Sequence, residues 1–97
     1  FLARLGGDEF CIIFPHIDLE RAISRVAHLR HELPEQIVLT PTYQHLLRWT
    51  GGLATIQDGD AHPDDVLKRA DQALFKAKEA GRNRTYYYQH PLGGRAI

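Results

Sequence analysis

The residues that most constrain the fold are two adjacent glycines and two adjacent carboxylates, set between two apolar runs. Gly6-Gly7-Asp8-Glu9 follows residues 1–3 and precedes residues 11–14, and both flanking runs predict strands. Paired glycines between strands are a turn signal, so the sequence predicts a β-hairpin with these four residues at its tip. Because glycine has no Cβ atom, the backbone there can adopt positive φ and lets a ligand approach closely.

The tip of this hairpin is a candidate metal and nucleotide site. Asp8 and Glu9 offer only oxygen ligands, which suit a hard cation such as Mg²⁺ better than zinc. Gly6 and Gly7 would let a nucleotide pass close over the backbone. The alternative is an ordinary hairpin with two solvated acids, and for these four residues taken alone it is the more common outcome.

Two stretches predict amphipathic helices. Apolar residues recur at helical spacing from Asp18 to Pro34, and again from Pro63 to Gly81, where glycine suits the left-handed position after a helix. The polar side chains of the first helix predict a solvated surface: Glu20, Arg21, Ser24, Arg25, His28 and Arg30.

Further strands are predicted at residues 37–40, 46–54 and 85–88. Gly51-Gly52 weakens the second of these, since consecutive glycines in a strand usually mark a bulge or the close approach of another backbone. Residues 89–97 predict a loose tail. The order of the elements indicates a single α+β domain.

A second motif, far downstream, fits with the hairpin. Residues 70–84 read ADQALFKAKEAGRNR. Together the two stretches resemble the GGDEF domain family, the diguanylate cyclases, whose signatures are R-x-G-G-[DE]-E-F and A-D-x-A-L-[YF]-x-A-K-x-x-G-R-N. Both signatures are met without a mismatch. Residues 50–54, TGGLA, lie where the family usually has S-x-G-x-A, with Thr in place of Ser.

The resemblance implies a palm-like, nucleotidyl cyclase-like α+β domain with a mostly antiparallel sheet faced by helices. A domain of this family would carry a first strand and two helices ahead of Phe1, so we expect residues 1–88 to be the C-terminal part of the domain. The N-terminal half would hold the family's other metal-binding aspartate and its guanine-recognising residues. We therefore expect these 97 residues alone to be inactive.

The function implied by the resemblance is condensation of two GTP molecules into cyclic di-GMP with release of pyrophosphate. Two domains would meet as a homodimer, under the control of an upstream sensory or regulatory region. Asp8 would bind Mg²⁺, with a pair of ions in the site, and Glu9 would either bind metal or accept the proton of the attacking hydroxyl. The alternative is a non-catalytic GGDEF domain that binds GTP or cyclic di-GMP and regulates a partner.

Lys78 and Arg82 match the basic pair with which the family contacts the triphosphate. Lys78 falls in the last turn of the second predicted helix and Arg82 directly after Gly81, so both can project toward one end of the sheet. Cations at a helix C-terminus also interact with its dipole by about 0.3–1 kcal/mol, so a structural role is the alternative. Asp71 is expected to be structural, accepting hydrogen bonds from a neighbouring strand such as that of Thr50.

Composition excludes several other classes. Twelve basic and twelve acidic residues give no net charge, so nothing indicates non-specific binding to nucleic acid or to an anionic membrane. The single cysteine, Cys11, cannot form an internal disulfide, and a reducing, cytoplasmic compartment is the default. No apolar run approaches the roughly 20 residues that cross a bilayer, although a region outside these residues could anchor the parent protein.

Overall fold

The computed structural model describes residues 2–6, 9–12, 18–33, 36–46 and 48–97. The elements are β1 (Leu2–Gly6), β2 (Glu9–Ile12), α1 (Leu19–Glu32), β3 (Gln36–Thr40), β4 (Tyr43–Leu46), β5 (Gly51–Leu53), α2 (Pro63–Glu79), β6 (Thr85–Tyr87) and β7 (Arg95–Ala96). This mixture of strands and helices confirms the predicted α+β class.

The strands form three separate groups. β1 pairs with β2 and β3 with β4, both antiparallel, whereas β5 pairs parallel with β6, which pairs antiparallel with β7. The three-stranded sheet is therefore mixed. The expected palm-like, mostly antiparallel sheet is confirmed only in part, because the strands of the described residues do not join into one sheet.

The N-terminal hairpin is confirmed. β1 and β2 are antiparallel, with Leu2 opposite Ile12 and Gly6 opposite Glu9, and the register shifts between Arg4 and Gly6. Gly6 is thus the last residue of β1, and Glu9 is the first residue of β2. Gly7 and Asp8, between them, lie outside the described residues.

The prediction of one strand over residues 46–54 is wrong. β4 ends at Leu46 and pairs with β3, while β5 begins at Gly51 and pairs with β6. The two strands therefore belong to different sheets. Local strand propensity did not reveal this, because it carries no information about which partner a strand has.

The C-terminal segment is more ordered than a loose tail. Arg95 and Ala96 pair with Tyr87 and Tyr86, and the Ile97 N–H donates to the Thr85 carbonyl at 3.0 Å. This pairing adds a third strand to the sheet. The placing of a domain boundary at residue 88 stays a prediction.

Helix α2 packs on the three-stranded sheet through small residues. Ala73 and Ala77 on its inner face are fully buried at 0% exposure. A Cβ atom at Gly52 would overlap the Ala70 carbonyl and the Leu74 backbone, so the helix backbone lies directly against β5. Close approach, one of the two reasons foreseen for Gly51-Gly52, is thus confirmed at Gly52.

This contact predicts that Gly52→Ala destabilises the protein by about 1–3 kcal/mol, the usual cost of overpacking a core. The Cβ atom cannot be accommodated by a side-chain rotation, since its neighbours are backbone atoms. Chemical denaturation measures the change. Gly59→Ala is the matched control because a Cβ there meets nothing within 4 Å. Equal stability of the two variants would contradict the packing.

An ion pair fixes the loop before α2 to the helix. Arg69 donates from Nη1 and Nη2 to Asp60 at 2.7 and 2.6 Å, and from Nη2 to the Thr55 carbonyl at 2.9 Å. Both side chains are largely buried, at 15% and 11% exposure. The Arg69 hydrogen bonds, together with one from the Gln57 N–H, lower the pKa of Asp60 from 3.8 to about 2.

Stability should therefore depend on the ionisation of Asp60. Its pKa is lower in the folded state, so the stabilisation is complete above pH 3.8 and is lost as the pH falls toward about 2. Asp60→Asn should unfold at a lower temperature than the wild type near neutral pH, and the gap should narrow across that acid range. Melting curves at several pH values test this. Asp58→Asn, in the same loop, should follow the wild-type curve, and a pH-independent gap for Asp60→Asn would contradict the assignment.

Candidate functional site

The predicted site residues fall in two places, the tip of the β1–β2 hairpin and the C-terminal end of α2. At the hairpin, the structure describes the backbone of Gly6 and Glu9, which face each other across the strand pair. Glu9 is therefore the first residue of β2. Asp8 and Gly7 lie outside the described residues, so their roles stay predictions.

At the end of α2, Lys78 lies in the last turn and Arg82 follows the helix, as the sequence predicted. The Arg82 N–H donates to the Ala77 carbonyl at 3.1 Å, and the Gly81 N–H to the Lys78 carbonyl at 3.3 Å. These bonds close the helix over its final carbonyl groups. Lys78 and Arg82 are both exposed at this same end.

The loop after α2 has an unusual backbone. Gly81, Arg82 and Asn83 have φ values of 124°, 63° and 50°. Glycine adopts such values freely and asparagine tolerates them, but an arginine in the left-handed region is uncommon. Such a conformation persists only where surrounding contacts fix it. Besides the capping bond from the Arg82 N–H to the Ala77 carbonyl, the contacts of Asn83 and its neighbours hold this loop.

One set of contacts comes from the chain entering β5. The Asn83 N–H donates to Thr50 Oγ1 at 2.9 Å, and the Gly51 N–H donates to the Arg84 carbonyl at 3.0 Å. The expected hydrogen bond from the strand of Thr50 to Asp71 is not formed, and within the described residues the partner of the Thr50 hydroxyl is the Asn83 N–H. Asp71 is exposed and has no hydrogen-bond partner in the described part of the chain.

The second set comes from Arg30, which the sequence placed on a solvated helix face. That prediction is wrong for Arg30. Its Nη2 donates to the Trp49 carbonyl at 3.0 Å and to Thr85 Oγ1 at 2.9 Å, and its Nη1 to Asn83 Oδ1 at 3.4 Å. The guanidinium also stacks on the Trp49 ring, 3.7 Å from the ring centroid.

Arg30 makes these contacts without an acidic partner among the residues that the structure describes. Its contacts are carbonyl, hydroxyl and amide oxygens and an aromatic face. Burial lowers the pKa of its guanidinium from the ordinary value, yet an arginine remains charged at neutral pH. The helical periodicity could not show that Arg30 contacts other segments, since an arginine on the polar face of a helix is normally solvated.

The described residues contain no group of three or more His, Cys, Asp or Glu side chains that could hold a metal ion. Within those same ranges, no helix is long and apolar enough to cross a membrane.

Comparison with known proteins identifies the family. Residues 1–84 match the family model described as "Diguanylate cyclase, GGDEF domain". The chain therefore belongs to the GGDEF domain family, as its two motifs predicted. No solved structure matches it.

Among curated relatives, the probable diguanylate cyclase DgcC of Escherichia coli strain K12 is 42% identical over 84 residues, which are 87% of this chain and 22% of that protein. A diguanylate cyclase of Vibrio cholerae is 32% identical over 91 residues, 92% of this chain and 27% of that protein. The uncharacterized protein YhcK of Bacillus subtilis is 34% identical over 86 residues, 88% of this chain and 24% of that protein. The chain thus spans about a quarter of the length of these relatives.

Proposed function

We propose that this chain is part of a diguanylate cyclase, which condenses two GTP molecules into cyclic di-GMP and releases two pyrophosphates. The observation that carries the proposal is a GGDEF family match that includes the Gly6-Gly7-Asp8-Glu9 motif, whose outer residues belong to two antiparallel strands. In this reaction the 3′-hydroxyl of each GTP attacks the α-phosphorus of the other, and pyrophosphate leaves. Each domain binds one GTP, and two domains meet as a homodimer.

The hairpin tip provides the acidic groups of this site. Asp8 is a metal ligand, and Glu9 is either a second ligand or the acceptor of the hydroxyl proton. Gly6 and Gly7 let the nucleotide approach the backbone closely. Carboxylate oxygens are the donors that Mg²⁺ prefers, so this donor set fits the ion. When bound, Mg²⁺ neutralises phosphate charge and makes the attacking hydroxyl more acidic.

The end of α2 provides the basic groups. Lys78 and Arg82 are exposed and form no hydrogen bond or ion pair through their side chains within the described ranges. Nearby Arg84 differs, since its Nε donates to the Arg82 carbonyl at 2.9 Å. Two free cations at one helix end suit the oxygens of a triphosphate.

The proposed protein works in the cytoplasm, where GTP is available, and an upstream sensory or regulatory region controls the pairing of its domains. The second candidate is a non-catalytic GGDEF domain that binds GTP or cyclic di-GMP and regulates a partner. The family match is compatible with both functions. The intact Asp8, Glu9, Lys78 and Arg82 favour the enzyme, because a domain without catalysis need keep none of them.

Replacing either acid tests the catalytic assignment in the full-length protein. Asp8→Asn and Glu9→Gln should each slow formation of cyclic di-GMP by about 10²-fold or more, since each removes a metal ligand or a proton acceptor. Chromatography of the product at saturating Mg²⁺ measures the rate. Asp58→Asn, in an exposed loop, is the matched control and should keep the wild-type rate. A wild-type protein that binds GTP or cyclic di-GMP but forms no product would support the second candidate instead.

Replacing either cation tests the triphosphate contact. Lys78→Ala and Arg82→Ala should each weaken binding of 3′-deoxy-GTP, which lacks the attacking hydroxyl, by about tenfold, as expected for loss of a charge-assisted hydrogen bond. Guanosine binding should be unchanged. Titration calorimetry measures both ligands, and Lys68→Ala on the exposed side of α2 is the control. If the cations only complement the helix dipole, both variants will bind the nucleotide normally and melt slightly lower.

A further inference from the structure

We propose that Arg30 is a positioning residue for the substrate triphosphate, acting through the loop of residues 81–84 that carries Arg82. This inference rests on the proposed function, because it gives Arg82 a ligand. Arg30 lies on α1, far from that loop in the sequence, and its guanidinium contacts the residues on the C-terminal side of Arg82.

The guanidinium is itself firmly held. The Trp49 ring covers one face at 3.7 Å, and the Trp49 carbonyl accepts from Nη2 at 3.0 Å. Trp49 directly precedes Thr50, whose hydroxyl accepts from the Asn83 N–H. One short segment thus fixes both Arg30 and the loop, so that α1, this segment and the loop form one connected set of contacts.

From this position Arg30 holds the loop just beyond Arg82. Nη2 donates to Thr85 Oγ1 at 2.9 Å, where β6 begins and Thr85 is 5% exposed, and Nη1 reaches Asn83 Oδ1 at 3.4 Å. Asn83 is therefore contacted twice: its backbone N–H donates to the Thr50 hydroxyl, and its side-chain oxygen accepts from Arg30. These contacts restrain the left-handed backbone at Arg82 and Asn83.

The direction in which the Arg82 side chain leaves the loop follows from that backbone. If the restraint is lost, residues 82 and 83 can relax to negative φ, which is favourable for residues other than glycine. Arg82 would then point elsewhere without being altered itself. Its interaction with the triphosphate would become weaker, although α2 and the strands would keep their contacts.

Lysine cannot replace Arg30 in this arrangement. The planar guanidinium presents several donors in a fixed fork while its face lies on an aromatic ring, whereas an ammonium is a compact point charge. The observed contacts use both the fork and the flat face. Arg30→Lys therefore keeps the positive charge but removes the fork of donors and the flat face that stacks on Trp49.

The test is a double-mutant cycle in the full-length protein. Arg30→Lys should raise the KM for GTP and the Kd for 3′-deoxy-GTP about tenfold, with guanosine binding unchanged, because one charge-assisted contact to the triphosphate is lost. In an Arg82→Ala background the same substitution should change neither constant further, since its effect passes through Arg82. Thr85→Val, which removes the hydroxyl acceptor, should raise both constants in the same direction, and melting curves establish that each variant is folded.

Arg25→Lys is the matched control, an exposed arginine on the same helix with no partner among the described residues, and it should behave as the wild type. An equal effect of Arg30→Lys with and without Arg82 would overturn the proposal, as would a lower melting temperature with normal KM and Kd. Should Arg30→Lys not fold, Thr85→Val decides between the same outcomes. A wild-type protein that neither binds GTP nor forms cyclic di-GMP would instead refute the proposed function.

Discussion

The close packing of α2 against β5 is the contact on which the C-terminal half depends. Gly52 leaves no room for a side chain beneath Ala70 and Leu74, and the buried Ala73 and Ala77 keep the helix close to the sheet. Dense packing of this kind fixes the distance between the two layers. The end of α2 is thereby held beside β6, with only a short loop between them. The exposed Lys78 and Arg82 lie at this end of the packed helix.

Arg30 joins α1 to the loop after α2 without an acidic partner among the residues that the structure describes. Arg30 contacts neutral oxygens and an indole ring, so it supplies several directed hydrogen bonds while keeping its positive charge. Asp60 and Arg69 show the other arrangement, in which a carboxylate neutralises the cation and anchors a loop. Only the first arrangement leaves positive charge near the proposed triphosphate site.

Much of the fold was readable from the sequence where the evidence is local. The hairpin follows from paired glycines between apolar runs, and the start of α1 from Asp18, whose side chain accepts from the Arg21 N–H at 2.8 Å. The sequence failed where the partner of an element mattered. It predicted one strand over residues 46–54, where β4 ends and β5 begins, and it left β7 as tail, because strand pairing is decided by distant residues.

The sequence by itself determined the family, the α+β class and the identity of the candidate site residues, since motifs and periodicity are properties of the chain alone. The tertiary structure decided which polar residues of the helices contact other segments and which contact only solvent. Arg25 and Arg30 look alike on the polar face of α1, yet only Arg30 meets Trp49, Asn83 and Thr85, which come from two later segments of the chain. Contacts between residues so far apart depend on how the layers pack, and no local pattern encodes them.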